Sequence, residues 1–593
     1  MCGICGEVRF DGSVADRATV ERMLPAIARR GPDGSGVHAV GPACFGHRRL
    51  SVIDLSDRAA QPMVDPATGL ALVFNGAVYN YPALRAELIE RGHRFRSTGD
   101  TEVILRGYLE WGADVVARLS GMFAFALHDP RDGSTLFARD RVGIKPLYYA
   151  RQSGRVRFAS NPQAILAAGG ADTRLNPVAL HHQFMLHASV PAPHTVFQGV
   201  QKLQPGHWMR WDANGDTTLE RYWHPQVGQP ESRSDAEWLE LTRDALTLAV
   251  KRRLDIADVP VGVLLSGGLD SSVLVALLAE AGATSLQTFT VGFDDQPEER
   301  GDEFEYSDLV AERYGTVHHK FHVPNAQLLR RLPEAIAAMA EPMVGQDAVA
   351  FYLLSERVAQ EVKVVQSGQG ADEVFAGYFW YPEMHAATEE PDVSRFTSRY
   401  VDRDHAEWAR MIAPTYHTDS DVTTRHIERL LAEFGDGEYL NRVLAMDVTS
   451  LIVDDPVKRV DNMTMAFGLE ARVPFLDHEL IELVLSMPAR LKLAQGGKGV
   501  LKAISRGIVP DAVIDRSKAY FPVPALKFVR GPLLEYMGDI LNSQACRERG
   551  LFQRDFVDIL LAEPDQHFTR LQGSKLWHLA LTELWLQQQL EGA

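Results

Sequence analysis

Residues 261–272, which read VGVLLSGGLDSS, combine glycines, hydroxyl groups and a carboxylate in a spacing that suits phosphate chemistry. Apolar runs stand on both sides, so the stretch predicts a buried strand, a tight turn and a helix start. Amide groups at a helix start lack acceptors within the helix and favour an anion such as phosphate. Asp270 suits that site only where a hard cation such as Mg2+ bridges its carboxylate to the phosphates. The sequence therefore predicts a phosphate or pyrophosphate site, against the alternative of a plain strand-to-helix turn.

Cys2 is the second residue with evident chemistry. Removal of Met1 would leave Cys2 with its own α-amino group, whose ordinary pKa is about 7.7–8.0. That amine can act as the base for the neighbouring thiol, so one residue supplies both nucleophile and base. Cys2 and Cys5 also form a C-x-x-C pair, which is typical of redox and metal sites. Because no second C-x-x-C pair occurs in the sequence, we favour the nucleophile.

Two kinds of element must position these residues. Short apolar strands and helical patterns in the first half, with a strand predicted over 49–53, indicate an α+β domain over 1–225, followed by a polar linker over 226–235. Helices and strands then alternate over 236–593, which predicts an α/β doubly wound parallel sheet with ligands at the carboxyl ends of its strands. A second acidic, glycine-rich loop, 367–373, follows another predicted strand. The tail after about residue 522 carries helical patterns and no motif.

The composition is that of a soluble enzyme with two to four domains, since 46% of the 593 residues are hydrophobic and 23% are charged. The net charge of −17 and the absence of a long basic run argue against a nucleic-acid partner. There is no apolar run long enough to span a membrane and no signal-peptide pattern at the N-terminus. Four cysteines in so long a chain predict a reducing, cytoplasmic location. The oligomeric state is not readable, and a homodimer stays open.

Four short motifs accompany Cys2 in the first half: RGPD at 30–33, HRRLS at 47–51, NG at 75–76 and GDTE at 99–102. In this order they resemble the glutaminase domain of class II glutamine amidotransferases, which has an N-terminal nucleophile fold of two sheets between helices (αββα). The resemblance implies that Cys2 attacks the side-chain amide of glutamine and releases ammonia. The residues that it assigns to the glutamine pocket and the oxyanion hole are Arg49 for the carboxylate, Asp100 for the ammonium, Asn75 and Gly76 for the oxyanion, and Leu50, Ser51, Val52, Ile53 and Ala77 for the walls. Ala77 departs from the Asn-Gly-Glu that the family usually has.

The second half resembles the synthetase domain of glutamine-dependent asparagine synthetases, which belongs to the ATP pyrophosphatases. SGGLDSS, SGQGADE (367–373), LEARVPFLD (469–477) and GK (497–498) carry this resemblance. It implies ATP and Mg2+ as cofactors, with Asp270 and Asp372 as metal ligands and Lys498 stabilising the adenylation transition state. The residues that it assigns to ATP are Leu265, Ser266, Gly267, Gly268, Asp270, Ser271, Val291, Ser367, Gly368, Asp372 and Arg472.

Together the two resemblances imply that ammonia crosses a dry internal passage and attacks an acyl-adenylate, giving an amide, AMP and pyrophosphate. The partners are then small molecules: glutamine, ATP and a carboxylate acceptor. Gln369 replaces the acidic residue that asparagine synthetases usually have beside the acceptor and adenylate, and 341–347 contains no arginine to clamp a free amino acid.

The identity of the acceptor is therefore open. SGQGADEVFAGY (367–378), DEFEYS (302–307) and the segment 191–194 resemble the N-acetylglutaminylglutamine amidotransferases, which make an osmoprotectant dipeptide amide. Aspartate is the alternative acceptor. A catalytically weakened regulatory paralogue, a β-lactam synthetase-like cyclase and a redox protein are alternatives of other classes.

Overall fold

The computed structural model describes residues 2–228, 232–516 and 523–590. Twelve strands in the first half form two antiparallel sheets, with the orders β10-β8-β9-β1-β3-β2 and β12-β11-β7-β6-β5-β4. The strands are β1 Gly3–Arg9, β2 Gly34–Val40, β3 Ala43–Arg49, β4 Met63–Val64, β5 Ala71–Val78, β6 Gly121–Asp129, β7 Ser134–Arg139, β8 Tyr148–Gln152, β9 Arg155–Ala159, β10 Gln201–Lys202, β11 His207–Trp211 and β12 Thr217–Arg221.

The two sheets stack because each presents an apolar face to the other. Ile4 and Phe158 of the first sheet pack with Val73 and Phe137 of the second in one buried cluster. Apolar residues on the outer face of the second sheet, such as Phe74, pack against helices. The helices of this half are α1 Arg17–Met23, α2 Tyr81–Glu90, α3 Asp100–Trp111, α4 Val115–Arg118, α5 Pro162–Ala167 and α6 Pro177–Met185. The predicted αββα N-terminal nucleophile fold is confirmed.

The second half contains one parallel sheet of order β15-β14-β13-β16-β17, so the predicted parallel sheet is also confirmed. The strands are β13 Val261–Leu264, β14 Gln287–Phe293, β15 Val317–Val323, β16 Val364–Gln366 and β17 Glu470–Arg472. The helices are α7 Asp235–Asp255, α8 Leu269–Glu280, α9 Phe304–Tyr314, α10 Asn325–Ala337, α11 Asp347–Val358, α12 Ala371–Phe375, α13 Trp380–Ala386, α14 Asp392–Tyr400, α15 His405–Met411, α16 Val422–Glu433, α17 Tyr439–Met446, α18 Lys458–Met465, α19 His478–Leu485, α20 Ala489–Leu493, α21 Gly499–Ser505, α22 Asp511–Ile514, α23 Pro524–Lys527, α24 Pro532–Asn542, α25 Gln544–Arg549, α26 Arg554–Ala562 and α27 Lys575–Leu590.

Some predicted boundaries differ from the observed ones. The strand predicted over 49–53 is wrong, because β3 ends at Arg49 and the chain continues as a loop. The predicted linker, 226–235, lies mostly between the end of β12 and the start of α7, and its residues 229–231 fall outside the described residues. The division at 225 and 236 stays a prediction. In the part of the chain that the structure describes, no helix has the length and apolar character that crossing a bilayer requires.

Candidate active sites

The side chain of Asn75 holds the residue predicted to be the nucleophile. Cys2 directly precedes β1 and is 7% exposed, and its backbone N–H donates to Oδ1 of Asn75 at 3.0 Å. Nδ2 of Asn75 is buried and has no hydrogen-bond partner among the described residues. An unpaired buried donor is uncommon, and here it leaves an N–H group free for a ligand beside Cys2. Burial raises the pKa of the Cys2 thiol, so the thiol is neutral without a base.

Gly76 can only be glycine in this structure. Its φ is +158°, and a Cβ at this position would lie 2.1 Å from the carbonyl oxygen of Met122 on the neighbouring strand β6. Ala77, the next residue, is fully buried in the apolar core. The strand that carries Asn75, Gly76 and Ala77, β5, is an interior strand of its sheet. It is paired with β6 on one side and with β4 on the other.

The loop that follows β3 packs against the second half of the chain. The carbonyl oxygen of Leu50 lies 4.0 Å from Sγ of Cys2. Leu50 and Val52 pack against Val364 of β16, and the carbonyl of Val52 accepts the N–H of Asp258 at 2.9 Å. The glutamine pocket predicted from the sequence is thus built on the synthetase half as well as on its own domain. The predicted pocket residues in this segment are Arg49, Leu50, Ser51, Val52 and Ile53.

Backbone carbonyls fix the guanidinium of Arg49. Its Nη1 donates to the carbonyl of Ser56 at 3.0 Å, and its Nη2 donates to that of Asp54 at 2.5 Å. The carboxylate of Asp54 accepts the N–H of Thr98 at 2.7 Å, which draws the loop towards the start of α3. Asp100 is the first residue of that helix. The structure therefore brings Arg49 and Asp100, 51 positions apart in the sequence, to one region.

Asp100 is buried, and its Oδ2 accepts the N–H of Val78 at 3.0 Å. Burial raises the pKa of Asp100 to about 6, and the hydrogen bond from Val78 opposes that rise. The carboxyl group is thus mostly ionised at neutral pH, although its pKa lies only about one unit below neutrality.

The first glycine-rich loop joins β13 to α8, as predicted. Oγ of Ser266 accepts the N–H of Gly268 at 3.3 Å, and Oγ of Ser271 accepts the N–H of Ser266 at 3.2 Å. Gly267 has a φ of +82°, a conformation that glycine adopts at little cost. Leu265 extends the strand direction and donates its N–H to the carbonyl of Phe289 at 2.8 Å.

The second loop follows β16, which is the parallel neighbour of β13. The two loops touch, because a Cβ on Gly368 would lie 3.0 Å from Cβ of Asp270 and 3.2 Å from the amide nitrogen of Ser271. Ser367 and Asp372 belong to this loop, and Val291 lies in β14 on the other side of β13. The two predicted phosphate and metal loops are therefore adjacent at the carboxyl edge of the sheet, where ligands of such sheets bind.

Lys498 joins the two loops. Its Nζ lies 2.7 Å from Oδ2 of Asp270 and 2.8 Å from Oδ1 of Asp372. Burial alone would lower the pKa of Lys498, but the two carboxylates outweigh it and raise that pKa above its ordinary value. The backbone of Lys498 has a φ of +54°, which is strained for a residue with a Cβ. Two carboxylates that converge on one positive group are oxygen donors of the kind Mg2+ takes, so the residues fit this ion.

The side chain of Arg472, which the resemblance assigns to ATP, is fully buried. Nε donates to Oε1 of Glu470 at 2.6 Å and Nη1 donates to the carbonyl of Arg253 at 2.5 Å, while Nη2 has no hydrogen-bond partner among the described residues. Its own carbonyl accepts the N–H of Ser367 at 2.9 Å, so the backbone of Arg472 helps to position the second loop. The contact of Arg472 with ATP stays a prediction.

Arg516 reaches the first loop from a segment without any sequence motif. Its Nη2 lies 2.8 Å from Oε1 of Glu303 and 3.7 Å from the place where a Cβ on Gly268 would stand. No sequence motif marks Arg516, because an isolated arginine far along the chain gives no signal of its own.

A cavity of about 340 Å3 opens beyond the second loop. Tyr378, Trp380, Tyr381 and Tyr400 contribute aromatic rings to its wall, and the first two stack at 4.2 Å between ring centroids. Its volume lies within the range of about 300–1,000 Å3 that is usual for small-molecule sites. Gln369, predicted to lie at the acceptor, is half-buried and is not among the described residues that line this cavity.

The charged residues of the cavity are paired. Nη1 of Arg459 lies 3.0 Å from Oδ1 of Asp347 and 2.9 Å from Oδ1 of Asp455. Asp447 accepts a hydrogen bond from the hydroxyl of Tyr381 at 2.5 Å. Burial raises the pKa of Asp447 to about 8, so this carboxyl group is mostly protonated at neutral pH. The arginine missing from 341–347 is thus supplied by another helix, α18, and it is already held by two carboxylates.

One helix, α18, joins the cavity to Cys2. Arg459 at its start lines the cavity, and Asp461 two residues later binds Nη1 and Nη2 of Arg30 at 2.9 and 3.0 Å. Nε of Arg30 donates to the carbonyl of Cys2 at 3.2 Å, and Nζ of Lys145 donates to Asp461 at 3.1 Å. Burial alone would raise the pKa of Asp461, but Arg30 and Lys145 outweigh it and hold that pKa at about 2. A buried ion pair therefore ties the helix to the glutaminase half.

Comparisons with known proteins agree with this arrangement. Residues 1–223 match the Glutamine amidotransferase domain family, and residues 241–587 match the Asparagine synthase family. Asparagine synthetase (glutamine-hydrolyzing) 3 of Bacillus subtilis (strain 168) is 30% identical over 99% of this chain and 98% of its own. A putative asparagine synthetase (glutamine-hydrolyzing) of Mycobacterium tuberculosis H37Rv is 33% identical over 90% of each chain. Amidase chry2 of Gibberella zeae is 29% identical over 94% of this chain and 93% of its own. The chain therefore belongs to the glutamine-hydrolysing asparagine synthetase family, and it is a glutamine-dependent carbon–nitrogen ligase.

Proposed function

We propose that this enzyme takes ammonia from glutamine at Cys2, activates a carboxylate with ATP between the two glycine-rich loops, and joins the two into an amide, AMP and pyrophosphate. The observation that carries the proposal is the convergence of Asp270, Asp372 and Lys498 in the second half, together with the Cys2–Asn75 contact in the first. Helix α18 joins the cavity beyond the second loop to Arg30, which binds the carbonyl of Cys2.

In the glutaminase half, the free amine of Cys2 takes the thiol proton and the sulfur attacks the side-chain amide carbon of glutamine. Nδ2 of Asn75 and the N–H of Gly76 donate to the oxygen as it becomes negative. The C–N bond breaks, ammonia leaves with the proton that the amine returns, and water later cleaves the thioester to glutamate. Arg49 holds the substrate carboxylate, and Asp100 holds its ammonium group.

The rate of glutamine hydrolysis at low substrate concentration should fall in acid because Asp100 must be ionised to bind the ammonium group. Its pKa lies near 6, so the carboxylate is present above that pH and is lost below it. We expect kcat/KM for glutamine to fall about tenfold per pH unit while only the Cys2 amine is protonated, and about a hundredfold per unit below about pH 6, where Asp100 is protonated as well. The measurement is glutamate release from about pH 5 to about pH 8.

Asp100→Asn tests the assignment of that acid limb. The variant should raise KM for glutamine about 10- to 100-fold, since it replaces a charged hydrogen bond with a neutral one, and its profile should lose the inflection near 6. An unchanged inflection in Asp100→Asn would assign the titration to another group.

In the synthetase half, we propose that the adenosine lies against Leu265, Val291 and Ser367 and that the phosphates lie on the first loop. Asp270 and Asp372 would hold Mg2+, which neutralises charge on the phosphates when it is bound. Lys498 then stabilises the negative charge that develops as the carboxylate oxygen attacks the α-phosphorus and pyrophosphate leaves. Arg516 is a further candidate for contact with the pyrophosphate.

For the acceptor, we propose N-acetylglutaminylglutamine, amidated at its carboxylate to give an osmoprotectant. The cavity volume of about 340 Å3 and its aromatic wall support a substrate larger than one amino acid. A protonated Asp447 supports an amide-rich ligand, because a carboxylic acid can donate a hydrogen bond to an amide oxygen. Arg459 is already paired, so it offers less to a free amino-acid carboxylate.

The experiment is pyrophosphate release by the purified enzyme with ATP, Mg2+ and glutamine, with N-acetylglutaminylglutamine and aspartate offered separately. We expect release with the capped dipeptide and little with aspartate. Release with aspartate alone would favour the second candidate, an asparagine synthetase, which the names of the relatives from Bacillus subtilis and Mycobacterium tuberculosis support.

A further inference from the structure

Three side chains from distant segments meet at the wall of the proposed acceptor cavity, away from Cys2 and from the two glycine-rich loops. His187 follows α6, Asp402 follows α14, and His578 lies in α27. One ligand atom from each residue lies within 4.8 Å of the other two. Nδ1 of His187 is 3.2 Å from Oδ2 of Asp402, and Nδ1 of His578 is 3.8 Å from the same oxygen.

This cluster leaves buried polar atoms without partners. The side chains of Asp402 and His578 are 0% exposed. Three atoms of the cluster have no hydrogen-bond partner within the described residues: Nδ1 and Nε2 of His578 and Oδ1 of Asp402. Native proteins leave few such groups, because each loses its hydrogen bonds to water and regains none. The guanidinium of neighbouring Arg403 binds the carbonyl of Phe184, and no Lys or Arg of the described residues forms an ion pair with Asp402.

Three residues other than glycine, in or near the cluster, have left-handed backbone conformations. His187 and Ala188 have φ values of +51° and +65°, and Gln572 has +66°. A Cβ on Gly573 would lie 2.9 Å from Nε2 of His578, so this position accepts only glycine without a shift. Left-handed residues other than glycine are costly and persist where the surrounding structure demands them, often at ligand sites.

We propose that His187, Asp402 and His578 bind a divalent transition metal of the zinc class. Two imidazoles and one carboxylate are ligands that zinc commonly takes, and bonds of about 2.0–2.2 Å in a tetrahedron place ligand atoms about 3.4 Å apart. The observed separations of 3.2 and 3.8 Å are close to that value. The metal gives Nδ1 of His578 the partner that it lacks, and it ties the end of α6, the end of α14 and helix α27 to one point.

The position of His187 adds a consequence for the substrate site. His187 and Gly573 are also part of the cavity wall, so the metal adjoins the cavity without belonging to the Asp270–Asp372 site. This site does not depend on the identity of the acceptor, and its test needs no amidation assay.

The test is metal analysis of the full-length protein after purification with zinc and exhaustive dialysis. We expect about one zinc ion per chain in the wild type. Asp402→Asn keeps the shape of the side chain and should lose most of the bound zinc. His187→Asn should lose most of it as well, and asparagine tolerates the left-handed backbone of this position. Removal of zinc with a chelator should lower the melting temperature of the wild type by about 5 °C, and zinc alone should restore it. Cobalt(II) in its place should give visible absorption.

His426→Gln is the matched control, because His426 also has an unpartnered buried ring nitrogen and lies outside the cluster. Its zinc content and melting temperature response should equal those of the wild type. Wild-type protein that neither retains zinc nor takes it up from micromolar solution would overturn the proposal. Equal zinc in the wild type and Asp402→Asn would overturn it as well, since the carboxylate would then be no ligand.

Discussion

Cys2→Ala is expected to abolish glutamine-dependent amidation and to leave ammonia-dependent amidation intact. Glutamate release should fall at least about 10⁴-fold, because no other group of the pocket can form the thioester. Ammonium chloride enters the reaction after that step, so product formation with it should continue. Pyrophosphate release with each nitrogen source, measured on the same preparation, separates the two effects.

Cys5→Ala is the control for this change. Cys5 is fully buried in β1 and three residues from Cys2, yet it contacts core residues and no proposed substrate group. It should keep glutamine-dependent activity, with any loss confined to stability. Loss of ammonia-dependent activity in Cys2→Ala would point to a collapsed interface, because the carbonyl of Cys2 accepts a hydrogen bond from Arg30, and Arg30 binds Asp461 of the other half.

The two phosphate loops could be predicted because each is a local pattern. An apolar run followed by a glycine-rich turn predicts a strand, a turn and a helix within a dozen residues. Because ligands bind at the carboxyl ends of parallel strands, both loops are expected at the same edge of the sheet. Lys498 needed the family resemblance, since a lysine beside glycines is ordinary loop sequence. Its contact with Asp270, 228 positions away, appears only in the folded chain.

The acceptor cavity could not be predicted in the same way. Its walls come from segments around 345, 380, 455 and 572 that meet only through helix packing. The tail after 522, to which the sequence analysis assigned no chemistry, supplies Gly573 to this wall and His578 to the proposed metal cluster. Neither residue stands in a motif, so no local pattern marks them.

The burial of Arg472 has a physical reason in its own strand. In a strand, residues two apart point to the same side of the sheet, and Glu470 stands two positions before Arg472 in β17. The two side chains form a buried ion pair, with Nε of Arg472 2.6 Å from Oε1 of Glu470. Alternation along this short strand predicts that contact from the sequence.

Lys498→Ala should stop the synthetase reaction and spare the glutaminase. Pyrophosphate release should fall at least about 10³-fold, because the positive charge that faces both carboxylates and the developing charge on the phosphates is lost. The same change leaves Asp270 and Asp372 without the ammonium group that lies 2.7 and 2.8 Å away, so we expect the Mg2+ concentration for half-maximal ATP binding to fall. Glutamate release should persist, and its measurement confirms that the protein is folded.

Lys502→Ala is the matched control for that change, since Lys502 lies four positions further along, and within the described residues its Nζ binds only a backbone carbonyl, that of Gln495 at 2.6 Å. Its activity should equal that of the wild type. If Lys498→Ala bound Mg2+–ATP as before and still released pyrophosphate, the lysine would be only a counter-charge for two half-buried carboxylates. Either role would spare glutamate release and lose pyrophosphate release, so the melting temperature distinguishes them, because a role in holding the two loops together would shift it.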